Sequence, residues 1–391
     1  MSCQLPVEVV QSITSAFRDI TDTTEFIALA LVSSTFRISV QRLLLTSLDL
    51  RSTTSVRLLL SRIERDTSIG RQARCLVIGR GARKRLQPAG RGKKKHEEWV
   101  EDAVTEEDLV KLCGKLPNLE AVHLREPFFV SLRRRQLGCL SSLSRLSTLS
   151  VSGRPSHPFS LHTVGQLLLT LPQLKHLALR NLSCPTSSFA NLPQPSCHLV
   201  SFALFDSPAI SGQQLSWLLH SSTNAESIRS LAFDIAPTVL PSTLHTVLWA
   251  PVRAFEISCT SEQAGSIEHL PRHCPSVRKY TFRSSRRIDP VLLLKSCGVF
   301  GTVEQLVDAS GVGAGLHPIY LAAALLEDRK GGVATIRSLC FSRQKRGEEG
   351  MRILRVVCRI KGISLSFFDA GVEKGEPDIP EQLASLRRSK V

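Results

Sequence analysis

A short apolar pattern, written Leu-x-x-Leu-x-Leu, returns along most of this chain. Its clearest copy is Leu174, Leu177 and Leu179. Leu177 and Leu179 are two positions apart, which is the spacing of side chains on one face of a strand. Nine copies begin, in chain order, at Leu119, Leu146, Leu174, Leu199, Ile228, Val252, Val277, Val303 and Ile336. By subtraction these positions lie 24 to 33 residues apart, which predicts nine short strands at a nearly regular spacing.

The pattern is degenerate in two places. The eighth copy has Asp308 in its last apolar slot. An earlier copy at Ala73, Leu76 and Ile78 lies 46 residues before Leu119. We therefore expect a first strand and helix unit over 51–79, separated from the main array.

The segments between the strands have the spacing of helices. Val164, Leu167 and Leu171 recur at intervals of three and four, as on one face of a helix. Thr105 followed by three acidic residues is typical of a helix N-terminus. The predicted helices cover 106–116, 161–171, 213–220, 265–273, 318–327 and 349–360. Strands that alternate with helices predict an α/β protein with a parallel sheet.

Together these units predict a solenoid. Leucine is common enough for one or two copies to arise by chance, but nine in succession argue against chance. Several also follow a helix-ending Leu-Pro or Cys-Pro pair, as at Leu116, Leu171 and Cys274. From about residue 105 to 370 the chain resembles a leucine-rich repeat array of the longer, ribonuclease-inhibitor-like or cysteine-containing kind. The resemblance implies a horseshoe with parallel strands inside and helices outside.

The repeat pattern also predicts a binding surface. Strand side chains alternate, so the residues on either side of each middle apolar position face away from the core. The residues predicted to bind a target on this concave face are His123, Arg125, His176, Arg180, Asp234, Glu256, Lys279 and Arg283. We expect a partner that presents acidic groups to the basic ends of this face.

The N-terminal segment predicts three short helices. It begins with Leu5 and Pro6, and Val9 and Ile13 share one apolar face with Phe17. The segment resembles an F-box, the module that docks on the Skp-type adaptor of cullin ubiquitin ligases. The resemblance implies that Leu5, Pro6, Val9 and Ile13 sit in the adaptor groove. The alternative is that residues 5–46 only cap the first repeat.

A basic run interrupts the array before residue 106. It holds eight lysines and arginines in sixteen residues, half of the chain's net charge of +16. Glycine, proline and like charges predict a segment without regular structure over 80–104. The basic residues form two clusters, Lys84 with Arg85 and Lys93 with Lys94 and Lys95. Their spacing is that of a bipartite nuclear-import signal. A solvated insertion with no targeting function accounts for them equally well.

Other functional classes find little support in the composition. The eleven cysteines are scattered singly, without the Cys-x-x-Cys spacing of a zinc site, which is typical of a reducing cytoplasm or nucleus. Scarce tyrosine and tryptophan argue against nucleic-acid binding. The glycines of Gly311–Gly315 lack the spacing of a phosphate loop, and we expect neither an enzyme, nor a cofactor, nor a metal site. No segment has the length and apolarity of a membrane helix, and the start lacks a signal peptide's apolar stretch.

The sequence therefore predicts five segments: an F-box-like helical module over 1–50, the first unit over 51–79, the insertion over 80–104, the repeat array over 105–370 and a polar tail over 371–391. In function we expect the substrate-recognition adaptor of a Skp/cullin/F-box ubiquitin ligase, with cytoplasmic or nuclear localisation and a target protein bound by the repeats. The alternative is a leucine-rich-repeat scaffold for protein interactions without a ligase.

Overall fold

The structure is a computed structural model that describes residues 36, 39–40, 44–79, 83–85, 99–101, 103–127, 132, 134–183, 193–207, 210–224, 227–234, 252–259, 276–298, 301–327 and 335–368. The chain divides into two compact units, Met1–Phe159 and Ser160–Val391. The predicted adaptor-binding residues Leu5, Pro6, Val9 and Ile13 lie outside the described residues, as do Lys93, Lys94, Lys95 and the predicted tail.

The first unit contains four parallel strands that pair in chain order. Its elements are β1 (Ser47–Leu50), α1 (Thr53–Arg65), α2 (Thr67–Gln72), β2 (Cys75–Ile78), α3 (Glu106–Lys115), β3 (Ala121–Arg125), α4 (Arg134–Ser141) and β4 (Thr148–Ser152). Within the predicted insertion, the short strands Arg83–Arg85 and Trp99–Glu101 pair antiparallel. These six residues thus have regular structure, because their backbone groups bond to each other across the pair.

The second unit contains eight parallel strands, again paired in chain order. Its elements are α5 (Leu161–Thr170), β5 (His176–Arg180), β6 (Ser201–Phe205), α6 (Gly212–Asn224), β7 (Ser230–Asp234), β8 (Ala254–Cys259), β9 (Lys279–Ser284), α7 (Pro290–Gly298), β10 (Gln305–Asp308), α8 (Pro318–Glu327), β11 (Ser338–Ser342), a 3-10 helix (Arg343–Gly347), α9 (Met351–Ile360) and β12 (Ser364–Phe368). Short strands also occur at Leu182–Ser183, Arg287–Ile288 and Gly315–Leu316, and at Phe159–Ser160, where the first unit ends and the second begins.

The nine predicted strands are all present, and each begins two residues after the first apolar position of its copy, as β5 does after Leu174. The earlier copy at Ala73 also forms a strand, β2, which pairs with β3. The expected α/β array of sequential parallel strands and helices is thus confirmed, and it is compatible with a leucine-rich-repeat-like solenoid. β1 was not predicted as a strand, because its segment Ser47–Leu50 was assigned to the N-terminal helices.

Aromatic side chains concentrate in the core of the second unit. The rings of Phe233 and Phe255 lie 6.3 Å apart, and those of Phe255 and Tyr280 stack at 6.0 Å with an angle of 13° between them. Tyr280 is completely buried. Since aromatic rings bury large apolar areas, this row across neighbouring strands stabilises their pairing register.

The sequential order of the strands determines where the helices lie. Parallel strands that follow one another in a sheet are joined by crossovers of the same, right-handed sense. The described crossover helices of the second unit therefore lie on one face of its eight-stranded sheet. The other face carries no described helix and is called the open face below.

The departure at Asp308 has a structural explanation. Lys345 and Asp308 form an ion pair at 2.7 Å, and their side chains are 0 % and 1 % exposed. Asp308 also accepts hydrogen bonds from the backbone N–H groups of Ser310 and Leu316. Gly315 closes this loop at φ 64°, where a Cβ atom would lie 2.5 Å from the Asp308 carboxylate. A buried charged network thus replaces the apolar contact that the pattern predicts.

Candidate binding surface on the open face of the sheet

The register of the strands places the predicted binding residues of the second unit on a common face. Ala178, Ala203, Ala232 and Glu256 are paired in turn across β5 to β8, and Glu256 pairs with Thr281 on β9. We call this line of residues the middle row. Because side chains alternate along a strand, the positions two residues before and after the middle row share its face. His176, Arg180, Asp234, Lys279 and Arg283 occupy such positions.

An acidic side chain and two basic ones meet near the centre of the open face. Glu256 lies on β8, and Lys279 and Arg283 flank its partner Thr281 on β9. Burial raises the pKa of Glu256, while the charges of Arg283 and Lys279 oppose that rise. Arg283 is exposed and Lys279 is half-buried. The two cations are therefore available to a partner's acidic groups and also stabilise the carboxylate between them.

A second charged cluster lies at the carboxyl ends of β5, β6 and β7. The Nε atom of Arg180 donates a hydrogen bond to Asp206 at 2.6 Å. The backbone N–H of Asp206 donates in turn to the carboxylate of Asp234. Burial, and to a smaller extent the charge of Asp206, raise the pKa of Asp234 to about 6. The charge of this edge consequently changes near neutral pH.

Asp206 is a member of this cluster that the sequence pattern did not single out. It directly follows β6 and has a left-handed backbone, with φ 47°. Asn181 and Glu126 occupy the corresponding positions after β5 and β3, with φ 50° and 46°. Asn and Asp tolerate this conformation better than most residues do. Asn or Asp directly after a strand is thus the signal that would have identified the position.

Small side chains occupy the middle row beside these clusters. Ala178, Ala203 and Ala232 are 3 %, 6 % and 6 % exposed, and Phe205 packs with them. These four side chains are buried, so the middle row contributes little accessible area over β5 to β7. The longer charged side chains on either side are therefore the groups of this face that a partner can contact.

The predicted residues of the first unit are in a different environment. His123 on β3 is only 5 % exposed, and its Nδ1 atom has no hydrogen-bond partner among the described residues. Burial, together with the nearby charge of Arg125, lowers the pKa of His123 to about 4. At neutral pH His123 is therefore uncharged and packed, so it offers no charge to a partner.

Metal-ligating side chains, thiols and apolar helices complete the description of this part of the chain. Among the described residues, no group of three or more His, Cys, Asp and Glu side chains is arranged to hold a metal ion. Burial raises the pKa of Cys297 to about 12, which keeps it a thiol. No helix in the described part of the chain is both long and apolar enough to cross a membrane.

The chain matches no known family model, and it matches no curated protein sequence. The resemblance to leucine-rich repeats therefore rests on the repeat pattern and on the sequential parallel strands that carry it.

Proposed function

We propose that the chain recognises a partner protein through the open face of its second unit. The observation that carries this proposal is the placement of Lys279, Arg283 and Arg180 on strands whose helices lie on the opposite face. Strand propensity favours β-branched and aromatic residues at such positions, so it does not by itself account for three cations there. Charges at a binding surface give specificity and faster association with a partner of opposite charge.

We further propose that the bound protein is presented for ubiquitylation. This part of the proposal is supported by the resemblance of the N-terminal segment to an F-box and by its position before the repeats. Leu5 and Pro6 would then bury apolar area in the groove of a Skp-type adaptor, and through that adaptor reach a cullin. The repeats would select the target, and the chain itself would transfer no chemical group.

The adaptor proposal is tested by direct binding. Purified chain is titrated with a Skp-type adaptor, and the wild type is compared with a Leu5→Ala, Pro6→Ala variant. Leu58→Ala serves as the control, since Leu58 is 60 % exposed on α1 and far from the N-terminal segment in sequence. Loss of binding in the double variant alone supports the proposal. A folded wild type that does not bind the adaptor would leave the repeat scaffold without a ligase.

The open face is tested separately by charge reversal. One variant carries glutamate at Arg180, Lys279 and Arg283. The control carries glutamate at three exposed helix residues, Arg57, Arg62 and Lys111. Proteins captured from cells are quantified for the wild type and both variants. We expect the target to be lost only from the open-face variant while capture of the adaptor is unchanged. Equal capture of every protein by all three chains would remove this surface from consideration.

A further inference from the structure

Exposed apolar side chains are concentrated in the last repeats. Ten large hydrophobic residues are exposed in the described part of the chain, and eight of them lie between residues 291 and 360. These eight are Val291, Leu292, Val312, Tyr320, Leu326, Ile353, Val356 and Ile360. All but Val312 are on α7, α8 and α9, and α8 packs against both of the other helices. Clustering of this kind marks an interaction surface more often than scattered exposure does.

The last helix, α9, has two separate apolar stripes. Its inner stripe, with Met351, Leu354 and Val357, is at most 3 % exposed. Its outer stripe consists of Ile353, Val356 and Ile360, which are 54 %, 56 % and 69 % exposed. A helix that packs on a sheet needs only one apolar stripe. The outer stripe is therefore not explained by the packing of the repeats.

A basic stripe runs beside the outer stripe. Arg352, Arg355 and Arg359 are all exposed, and each directly precedes one residue of the outer stripe. Successive residues of a helix are rotated by about 100°, so the arginines form a parallel line on the neighbouring side of α9. In both lines the first and last residues are seven positions apart, which is about 10 Å along the helix axis.

We infer that this surface of α9 binds an amphipathic helix of a partner protein, one that carries acidic residues beside its apolar stripe. An apolar line beside a basic line is complementary to a helix that carries an apolar line beside an acidic one. Helices recognise apolar surfaces through residues at intervals of three and four. The arginines supply charge complementarity to carboxylates. A second copy of this chain carries arginines rather than acidic groups beside its outer stripe, so it lacks this charge complementarity.

A membrane surface fits these observations less well. Helices that lie in a lipid interface have basic residues on both sides of a broad apolar face and large aromatic residues within it. The outer stripe of α9 is narrow and aliphatic, and its arginines lie on one side only. The arrangement thus favours a second helix over a lipid surface.

The probe for this site is a designed, fluorescently labelled helical peptide with leucines at intervals of three and four and glutamates along one neighbouring side. A second peptide has lysine in place of every glutamate. Binding to the full chain is measured by fluorescence anisotropy. We expect the acidic peptide to bind at least about tenfold more tightly than the basic one, and its affinity to fall with added salt.

Three variants of the full chain decide the outcome. An Ile353→Ser, Val356→Ser, Ile360→Ser chain should bind the acidic peptide about tenfold more weakly or worse. An Arg352→Glu, Arg355→Glu, Arg359→Glu chain should prefer the basic peptide instead. Arg57→Glu, Arg62→Glu on α1 is the control and should bind as the wild type does. All replaced side chains are exposed, so circular dichroism should show unchanged folding.

The inference is overturned by any of three results: binding that the serine variant retains, a charge preference that the glutamate variant does not reverse, or binding to vesicles of anionic phosphatidylserine that exceeds binding to the peptide. A chain ending at residue 368 identifies a further competitor. If its affinity for the acidic peptide is more than about tenfold higher, the surface is occupied by residues 369–391 of the same chain, and the inference of an external partner fails.

Discussion

Replacing Lys345 by methionine should destabilise the second unit strongly. The ammonium group lies in the core, and it donates hydrogen bonds to Asp308 at 2.7 Å and to the carbonyl groups of Ala314 and Leu316. Its three donors are thus all satisfied. Methionine keeps most of the apolar stem but leaves the Asp308 carboxylate buried with only its two backbone donors. Removal of one partner from a buried ion pair costs about 3–5 kcal/mol.

A double-mutant cycle isolates the contribution of the pair. Asp308→Asn should also cost about 3–5 kcal/mol, because it leaves the charge of Lys345 buried without its counter-ion. The double variant, Asp308→Asn with Lys345→Met, contains neither charge. Its loss of stability should therefore be smaller than the sum of the single losses by about 3 kcal/mol or more.

The assay must report on the second unit by itself, since a chain of two units need not unfold in one step. Hydrogen exchange followed by mass spectrometry gives a local opening free energy for peptides from β10 and β11. Urea unfolding followed by circular dichroism supplies the global value. The control is Asp49→Asn, which breaks an ion pair with Arg51 whose side chains are 43 % and 67 % exposed. Exposed pairs contribute about 0–1 kcal/mol.

Two results would refute this reasoning. One is a Lys345→Met chain whose local opening free energy changes by less than about 1 kcal/mol, which is the contribution expected of an exposed ion pair. The other is a double variant that loses the full sum of the single effects. Either result would mean that the two charges are not coupled in the folded protein.

Three further predictions concern caps, turns and protonation. Thr105→Ala removes the side-chain acceptor of the capping box of α3, and urea unfolding should show a loss of about 1 kcal/mol. Gly315→Ala should cost more than about 2 kcal/mol for two reasons: its Cβ atom would lie 2.5 Å from the Asp308 carboxylate, and alanine would have to adopt a left-handed backbone conformation. Gly313→Ala, with φ 80° and open space around it, is the control and should cost only about 1 kcal/mol by the same measurement. Asp234 has a pKa of about 6 in the folded chain, above its ordinary 3.8, so the folded state holds this proton more tightly and stability falls as pH rises from about 4 to about 6. Asp234→Asn should consequently be more stable than the wild type by about 1–2 kcal/mol at pH 7, with no difference below about pH 4. Urea unfolding midpoints of both chains, measured at these two pH values, check this. An equal advantage of the variant at both would contradict it.

The regular part of the fold could be predicted from the sequence because its signal is periodic. Alternation around Leu177 identifies which side chains of β5 face the core, and the same rule applied to each copy identifies the open face. The helix prediction over 318–327 agrees with α8 at both ends. β1 was assigned to helices because its four residues, Ser47–Leu50, are too few to establish a period of two.

The charged details could not be predicted because they depend on contacts distant in sequence. Asp308 was recognised as a departure, but its partner Lys345 lies 37 residues later, and no local pattern connects the two. The cluster of Arg180, Asp206 and Asp234 requires the register of three strands and the turn after β6. Burial of His123 likewise follows from its neighbours in space, whereas its position in the repeat predicts a surface residue.

The sequential pairing of the strands also bears on how the protein is made. In the eight-stranded sheet of the second unit, each strand pairs with the strands of that sheet that precede and follow it in the chain, so none of these pairings waits for a distant segment. Contacts that are close in sequence form quickly and need little loop closure. On the ribosome, a repeat of this unit can pack on the preceding one as soon as its own strand and helix have emerged. Slow synthesis would then expose at most one unpaired strand edge at a time, which limits aggregation before the chain is complete.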